Sequence, residues 1–317
     1  MTVGNKLLMS GDRSLMQHKG LVLLVQNLIA VLALGALALF RVVRISAVDR
    51  KQLLFFCWDA LVLVVQTWTS FEALQHLPVS ATTVVRALAI PSVAWCERLF
   101  LGTKIGLAQH AMCWAVVAGA IVYTCEDLVT STSSYSHSAA GYAWCFANLL
   151  AYVSNSVLDR VMMSESNQTA SGLSLLTQAL SLPICWAQDA LFNGLTPGAA
   201  ASVLRSLETR TTVTLITTGL CAGALGNCFA QCYKRASATA VTMMGNVNKA
   251  LSVLVSVAVF GSQLSALQVV GLGVCLGGAC AYSLIASAER DAAAADIVAS
   301  HGAPSATPRD RPKPKHR

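Results

Sequence analysis

The chain has 317 residues, of which 55% are hydrophobic and 12% charged, with a mean hydropathy of +0.60 and a formal net charge of +7. Soluble domains carry roughly 25% charged residues, so the composition argues against a water-soluble fold, and no nucleic-acid partner is expected despite the basic balance. At about 20 residues per span the length fits nine or ten membrane helices in one domain, with no soluble part beyond a tail.

The first residues, Met1 to Met9, read as the end of an apolar helix that lacks its beginning, because Leu7, Leu8 and Met9 run straight up to the turn-like Ser10-Gly11-Asp12. A signal peptide would need a basic start, an apolar core and a small-residue cleavage site, none of which is present. Apolar segments then follow at about 20–40, 53–76, 79–101, 105–125, 139–162, 171–191, 212–232, 239–260 and 265–287. Each can cross a hydrocarbon core of roughly 30 Å as a helix. The expected fold is therefore an all-α membrane protein with about nine full spans.

Basic residues recur in every second connection: Arg41, Arg44, Arg50 and Lys51, then Arg98 and Lys104, then Arg160, then Lys234 and Arg235. Lys and Arg are retained on the cytoplasmic side, which puts these loops there together with the C-terminus. Arg205 with Arg210, and Arg13 with Lys19, are exceptions to the pattern. On this orientation Asn167-Gln168-Thr169, a formal glycosylation acceptor, faces the cytoplasm and is unused. From about Ala288 the composition turns to Ala, Asp, Pro and basic residues without apolar periodicity, so 288–317 reads as a disordered basic tail that helps fix topology. Most of the eleven cysteines lie in apolar runs and read as small packing residues.

Ser80-Ala81-Thr82 opens one span, which goes on to Arg86-Ala87-Leu88 and Phe100-Leu101-Gly102. Ser237-Ala238-Thr239 opens another, with Lys249-Ala250-Leu251 and Phe260-Gly261. Counting the clipped first helix, these are the fourth and ninth spans, the equivalent positions of a five-plus-five repeat. Halves with an odd number of helices are inverted, and carriers of that build bind substrate near the midplane between them. The halves would cover about 1–127 and 139–287. A basic residue at the centre of a membrane helix costs about 2.5 to 3.5 kcal/mol on insertion scales. Arg86 and Lys249 therefore either pair with Glu72, Asp59 or Asp189 or meet an anion in a cavity. Glu97 follows Arg86 by eleven residues, three helical turns, so both would look into one cavity while standing too far apart to pair.

Gly245-Asn246-Val247-Asn248-Lys249 lies midway along the ninth span. Helical spacing puts Asn246 and Lys249 on one face and Gly245 one turn from Lys249. The glycine lets a ligand approach, the amides can read a base edge or sugar hydroxyls, and the ammonium can meet a diphosphate. Two amides and a cation in one turn of a membrane helix point to a binding wall.

At these residues the chain resembles the nucleotide-sugar transporters of the drug/metabolite transporter superfamily, most closely the GDP-mannose and related GDP-sugar carriers. The family signature Gly-Ala-Leu-Asn-Lys in the same span is matched at Gly245, Asn248 and Lys249, which implies that these three meet the nucleotide-sugar. The resemblance extends to Met1-Thr2-Val3-Gly4-Asn5-Lys6 as the end of the first helix, to Val25-Gln26 in the second, and to Arg86 with Glu97 in the fourth. A second family motif, Phe-Tyr-Asn-Asn on the seventh helix, reads guanine. Its place before Leu180-Ser181-Leu182-Pro183 holds Leu175, Leu176, Thr177 and Gln178 here, so the aromatic is absent and the amide pattern altered.

The resemblance implies a ten-helix inverted-repeat antiporter of the Golgi membrane that exchanges a cytosolic GDP-sugar, GDP-mannose first, for GMP. Lys249 and Arg86 would hold phosphates, Asn246 and Asn248 the base or sugar, and Thr177 and Gln178 the base edge, with Glu97 structural or gating. The partners expected are the nucleotide-sugar, a nucleoside monophosphate, membrane lipid and a second copy in a homodimer, with no cofactor. Two rivals remain: a carrier of another nucleotide-sugar or phosphorylated metabolite, and a non-transporting membrane protein whose buried charges serve assembly. Gly271, Gly273 and Gly277 lie within an apolar span and read as helix packing, not as a dinucleotide loop.

Overall fold

The structure is a computed structural model that describes residues 18–40, 46, 48–77, 79–103, 105–131, 139–165, 168–260 and 265–301. The expected remnant of a first helix at Met1 to Met9 lies outside the described residues. Within them the chain is helical throughout: α1 (Lys19–Leu39), α2 (Arg50–His76), α3 (Val79–Ala87), α4 (Ala89–Phe100), α5 (Leu107–Ser131), α6 (Ala139–Glu165), α7 (Ala170–Asn193), α8 (Pro197–Ser206), α9 (Thr209–Arg235), α10 (Ala238–Phe260) and α11 (Ala266–His301).

Six of these, among the described residues, are long and apolar enough to cross a membrane: α1, α2, α5, α7, α9 and α11. The remaining three expected spans differ for separate reasons. The segment 79–101 is two short helices, because Pro91 has no N–H to return to the Ala87 carbonyl and its ring crowds that carbonyl. Leu88 instead donates to Val85 O at 3.2 Å, and the chain restarts as α4. α6 has the length, at 27 residues, but Asn148, Asn155, Asp159 and Arg160 dilute its hydropathy. α10 is continuous, and its side chains from Lys249 to Ala250 and from Ser252 onward lie outside the described residues.

Local signals start and stop the elements as their chemistry requires. Asp49 accepts the Arg50 N–H at 2.8 Å and closes a capping box with Gln52 at the start of α2. Thr169 caps α7 through the Gly172 N–H at 3.1 Å, and Gly194, with φ of 65° in the left-handed region, ends it.

Contacts between connections sort the bundle into two ends. At one end Ser46 and Gln168 clasp each other, N–H to Oε1 at 3.1 Å and Nε2–H to carbonyl at 2.7 Å. The same end holds Glu97 against the start of α10 and Gln109 donating to Glu289 at 2.5 Å. At the other, Lys19 pairs with Glu72 at 2.7 Å, and the Leu21 N–H donates to Asp189 at 3.1 Å. The spans thus alternate in direction. The basic residues 50, 51, 98, 234 and 235 all fall at the first end.

α5 and α11 form a tight pair. A Cβ on Gly119 would stand 2.7 Å from Cys275 N and 2.8 Å from Gly271 O, so backbones approach as small-residue membrane packing allows. Gly271 therefore packs, whereas Gly273 and Gly277 have nothing within 4 Å. The expected disordered tail from Ala288 is corrected in part, since α11 continues to His301. The alanines at 286, 288 and 292–295 supply the helix propensity, and Glu289 is tied down by Gln109. Residues 302–317 lie outside the described residues. All eleven cysteines are free. Cys113, Cys145 and Cys185 are buried as packing residues, while Cys57, Cys221 and Cys280 are exposed on the flank of the bundle.

Candidate functional site

A cavity of about 190 Å³ opens between α2, α3, α4, α6 and α10, with Gln66, Ser70, Arg86, Asn148, Tyr152 and Asn246 among its lining residues. Arg86 reaches it from the last turn of α3, immediately before the break at Leu88. Its Nε–H donates to Asn148 Oδ1 at 3.2 Å, and a second N–H donates to Ser70 Oγ. Asn148 is itself fixed, with Nδ2 donating to Gln66 O at 2.5 Å and to Thr69 Oγ1 at 3.2 Å. A short polar network thus orients the guanidinium.

None of these partners carries a negative charge. The three carboxylates open to it in the sequence are engaged elsewhere. Glu72 pairs with Lys19, Asp59 accepts from Thr177 at 2.8 Å, and Asp189 accepts from the Leu21 N–H and from Asn193. Among the described residues no carboxylate forms an ion pair with Arg86. A guanidinium has five donors in a planar fork suited to phosphate, and the bonds described use two. The cavity therefore presents an uncompensated cation to whatever enters, which is the electrostatic condition for an anion site.

The signature residues of α10 divide. Asn246 lines the cavity across from Arg86, and its Nδ2 donates to Thr242 O at 3.0 Å. A Cβ on Gly245 would lie 3.6 Å from the Tyr152 hydroxyl, ordinary contact, so packing alone does not require glycine there. Asn248 is exposed on another face of α10. Lys249 follows Asn246 by one turn, and its side chain falls outside the described residues.

Glu97 is not at this cavity. Its carboxylate is buried, 1% exposed, and accepts the Ala238 N–H at 2.7 Å, the Thr239 N–H at 2.9 Å and the Thr239 hydroxyl at 2.5 Å. It caps α10, where a negative charge also meets the positive end of the helix dipole. The three-turn spacing from Arg86 does not bring Glu97 into the cavity, because the start of α10 takes up its carboxylate.

Thr177 and Gln178 are also apart from the cavity. Thr177 turns its hydroxyl to Asp59, and Gln178 Nε2 donates to Ser174 at 3.2 Å beside Gly226 of α9. The sequence reading missed Asn148, Tyr152, Ser70 and Gln66. The signal for two of them was present, since Asn148, Tyr152, Ser156 and Asp159 recur at helical spacing along α6 and mark one polar stripe.

Comparison with known proteins places the chain among carriers. It is 25% identical over 253 residues to the GDP-mannose transporter of Scheffersomyces stipitis, covering 78% of this chain and 77% of that one. It is 26% identical over 276 residues to the GDP-mannose transporter of Yarrowia lipolytica, covering 83% and 82%. The Eremothecium gossypii GDP-mannose transporter is 25% identical over 257 residues, with 78% and 77% covered. A crystal structure superposes with a TM-score of 0.64 at 18% identity, covering 84% of this chain and 89% of the other, which shows a shared fold. The model of the Triose-phosphate Transporter family matches residues 4–283, and the chain belongs to that family.

Proposed function

We propose that this chain is a nucleotide-sugar carrier, moving a GDP-sugar, GDP-mannose first, from the cytosol into the Golgi lumen in exchange for GMP. The observation that carries the reading is Arg86, buried in the cavity that Asn246 of the signature also lines and held by neutral partners alone. An anionic diphosphate supplies the negative charge that the described partners of Arg86 do not. The names of the relatives, GDP-mannose transporters over most of their lengths, favour guanosine.

In this reading the two halves, about 1–127 and 139–287, are inverted repeats of a ten-helix-type carrier that rock about the cavity. Gly245, Asn246, Asn248 and Lys249 of α10 and Arg86 of α3 form its substrate walls. Ligand pockets usually measure about 300 to 1,000 Å³, so the 190 Å³ cavity is the closed form and must widen for a nucleotide-sugar. Thr177 and Gln178 come into reach of the base when it does. The basic end of the bundle, with the C-terminus, faces the cytosol. Lipid and a second copy of the chain cover the apolar flank.

A second reading keeps the transport and changes the base. It is favoured by Thr177 and Gln178, which replace an aromatic and amides and point away from the cavity. Counterflow separates the two: proteoliposomes loaded with GMP should take up GDP-mannose and not a UDP-sugar. The reverse preference would sink the guanosine assignment, and uptake of neither would sink the carrier.

A further inference from the structure

Two carboxylates lie inside the bundle away from the Arg86 cavity. Asp59 stands nine residues into α2 and Asp159 six residues from the end of α6, depths of about 14 Å and 9 Å along their helices. Asp59 is 1% exposed, whereas Asp159 is partly exposed. One of its oxygens accepts from Thr177 at 2.8 Å, and the other is buried with no hydrogen-bond partner among the described residues. Asp159 accepts from Asn155 Nδ2 at 3.0 Å. The apolar cluster around them contains Phe56, Met162, Met163 and Leu173, each about one turn from Asp59, Asp159 or Thr177. α2 and α6 run antiparallel with Asn148 bonded to Gln66 O, so seven residues further along each helix Asp59 stands level with Asn155, the residue that holds Asp159.

The groups facing the pair do not neutralise it. α7 presents Thr177. α9 contributes Tyr233 to the apolar cluster, and Tyr152 of α6 packs against it. Arg160, beside Asp159 in sequence, spends an N–H on the Tyr233 carbonyl at 2.5 Å. Arg86 lines one cavity with Tyr152 and is bonded to Ser70 and Asn148. The thiols of Cys96 and Cys232 lie at the margin of the cluster. Neither acid has an ion-pair partner among the described residues.

Two like charges in a membrane interior without a cation are strongly unfavourable, and one proton bound by either acid removes one of the two charges. A metal ion would need a fuller set of ligands, and the described residues hold no group of three His, Cys, Asp or Glu able to supply them. We propose that Asp59 and Asp159 form a proton-binding site of the carrier, loaded from water at the basic end, and that its occupancy sets the rate of exchange. The link to exchange rests on the carrier reading above, while the binding of the proton does not.

The test uses the full chain in proteoliposomes. Infrared difference spectra on a pH step should show the carbonyl band of a protonated carboxylic acid in wild type. Asp59→Asn and Asp159→Asn should each change its position and the pH at which it appears, Asp159→Glu should move it, and the double Asn variant should lose it. GMP-driven GDP-mannose exchange should vary severalfold between about pH 5.5 and 8 in wild type and flatten to less than about twofold in both Asn variants. An absent band, or a pH profile unchanged in both Asn variants, overturns the site. A titrating band in vesicles that exchange no nucleotide at all supports the proton site and overturns the carrier reading instead.

Discussion

The Glu97 carboxylate receives the backbone N–H of Ala238 at 2.7 Å, tying the end of α4 to the start of α10. α10 carries Asn246, and α3, joined to α4 through Leu88, carries Arg86. One buried cap thus sets the spacing of two walls of the cavity.

Removing that acceptor should cost stability before it costs chemistry. Glu97→Ala leaves two backbone N–H groups and a hydroxyl buried without an acceptor, a loss of about 2 kcal/mol. Glu97→Gln keeps one acceptor and loses the charge at the helix terminus, so its effect is smaller. Thermal unfolding in detergent should rank wild type above Gln above Ala, and equal midpoints would refute the capping role.

Arg86→Ala should separate binding from folding. It removes a buried cation, so the unfolding midpoint stays near wild type or rises. Its charge-assisted bonds to phosphate are worth roughly 1.5 to 3 kcal/mol, so GDP-mannose uptake should fall about ten- to hundredfold. Arg86→Lys keeps the charge without the fork to Asn148 and Ser70 and should fall between. Uptake unaffected by the Ala variant would remove Arg86 from the site.

The Lys19–Glu72 pair, 2.7 Å apart and largely shielded, closes the opposite end of the bundle between α1 and α2. Breaking a buried pair costs more than the pair is worth, because one charge is left alone. Lys19→Glu should therefore lower the unfolding midpoint clearly, and the exchanged pair Lys19→Glu with Glu72→Lys should recover most of the loss. A double-mutant cycle with coupling below about 0.5 kcal/mol would show that the contact is incidental.

At Gly271 the limit is steric. A Cβ there would press on the Tyr123 backbone of α5 and on Gly119 O at 2.8 Å, and main chain cannot swing aside as a side-chain tip does. Gly271→Ala should destabilise by about 1 to 3 kcal/mol, while Gly273→Ala, with open space around it, should be neutral. Unfolding midpoints of the two variants decide.

Helix content and the alternating direction of the spans were legible because each rests on local composition. Hydropathy marks spans, loop charge marks ends, and a lone cation in an apolar run marks a cavity. What failed was placing a side chain from its spacing along its own helix. Glu97 follows Arg86 by three turns, yet its carboxylate is taken up by the N–H groups of Ala238 and Thr239, 141 and 142 residues away. Thr177 and Gln178 were placed at the base by resemblance, yet the direction of a polar side chain on α7 depends on Asp59, 118 residues away. The continuation of α11 was hidden for the converse reason, since alanine forms helix without any apolar period to announce it.

That continuation has a mechanical consequence. The apolar part of α11 ends near Glu289, and the twelve residues from there to His301 remain helical, extending the axis by about 18 Å. His301 is therefore a rod tip and not the root of a string. A fluorophore attached there would report the tilt of α11 as a lever magnifies a small rotation at its pivot, with Gln109 and Glu289 as the fulcrum.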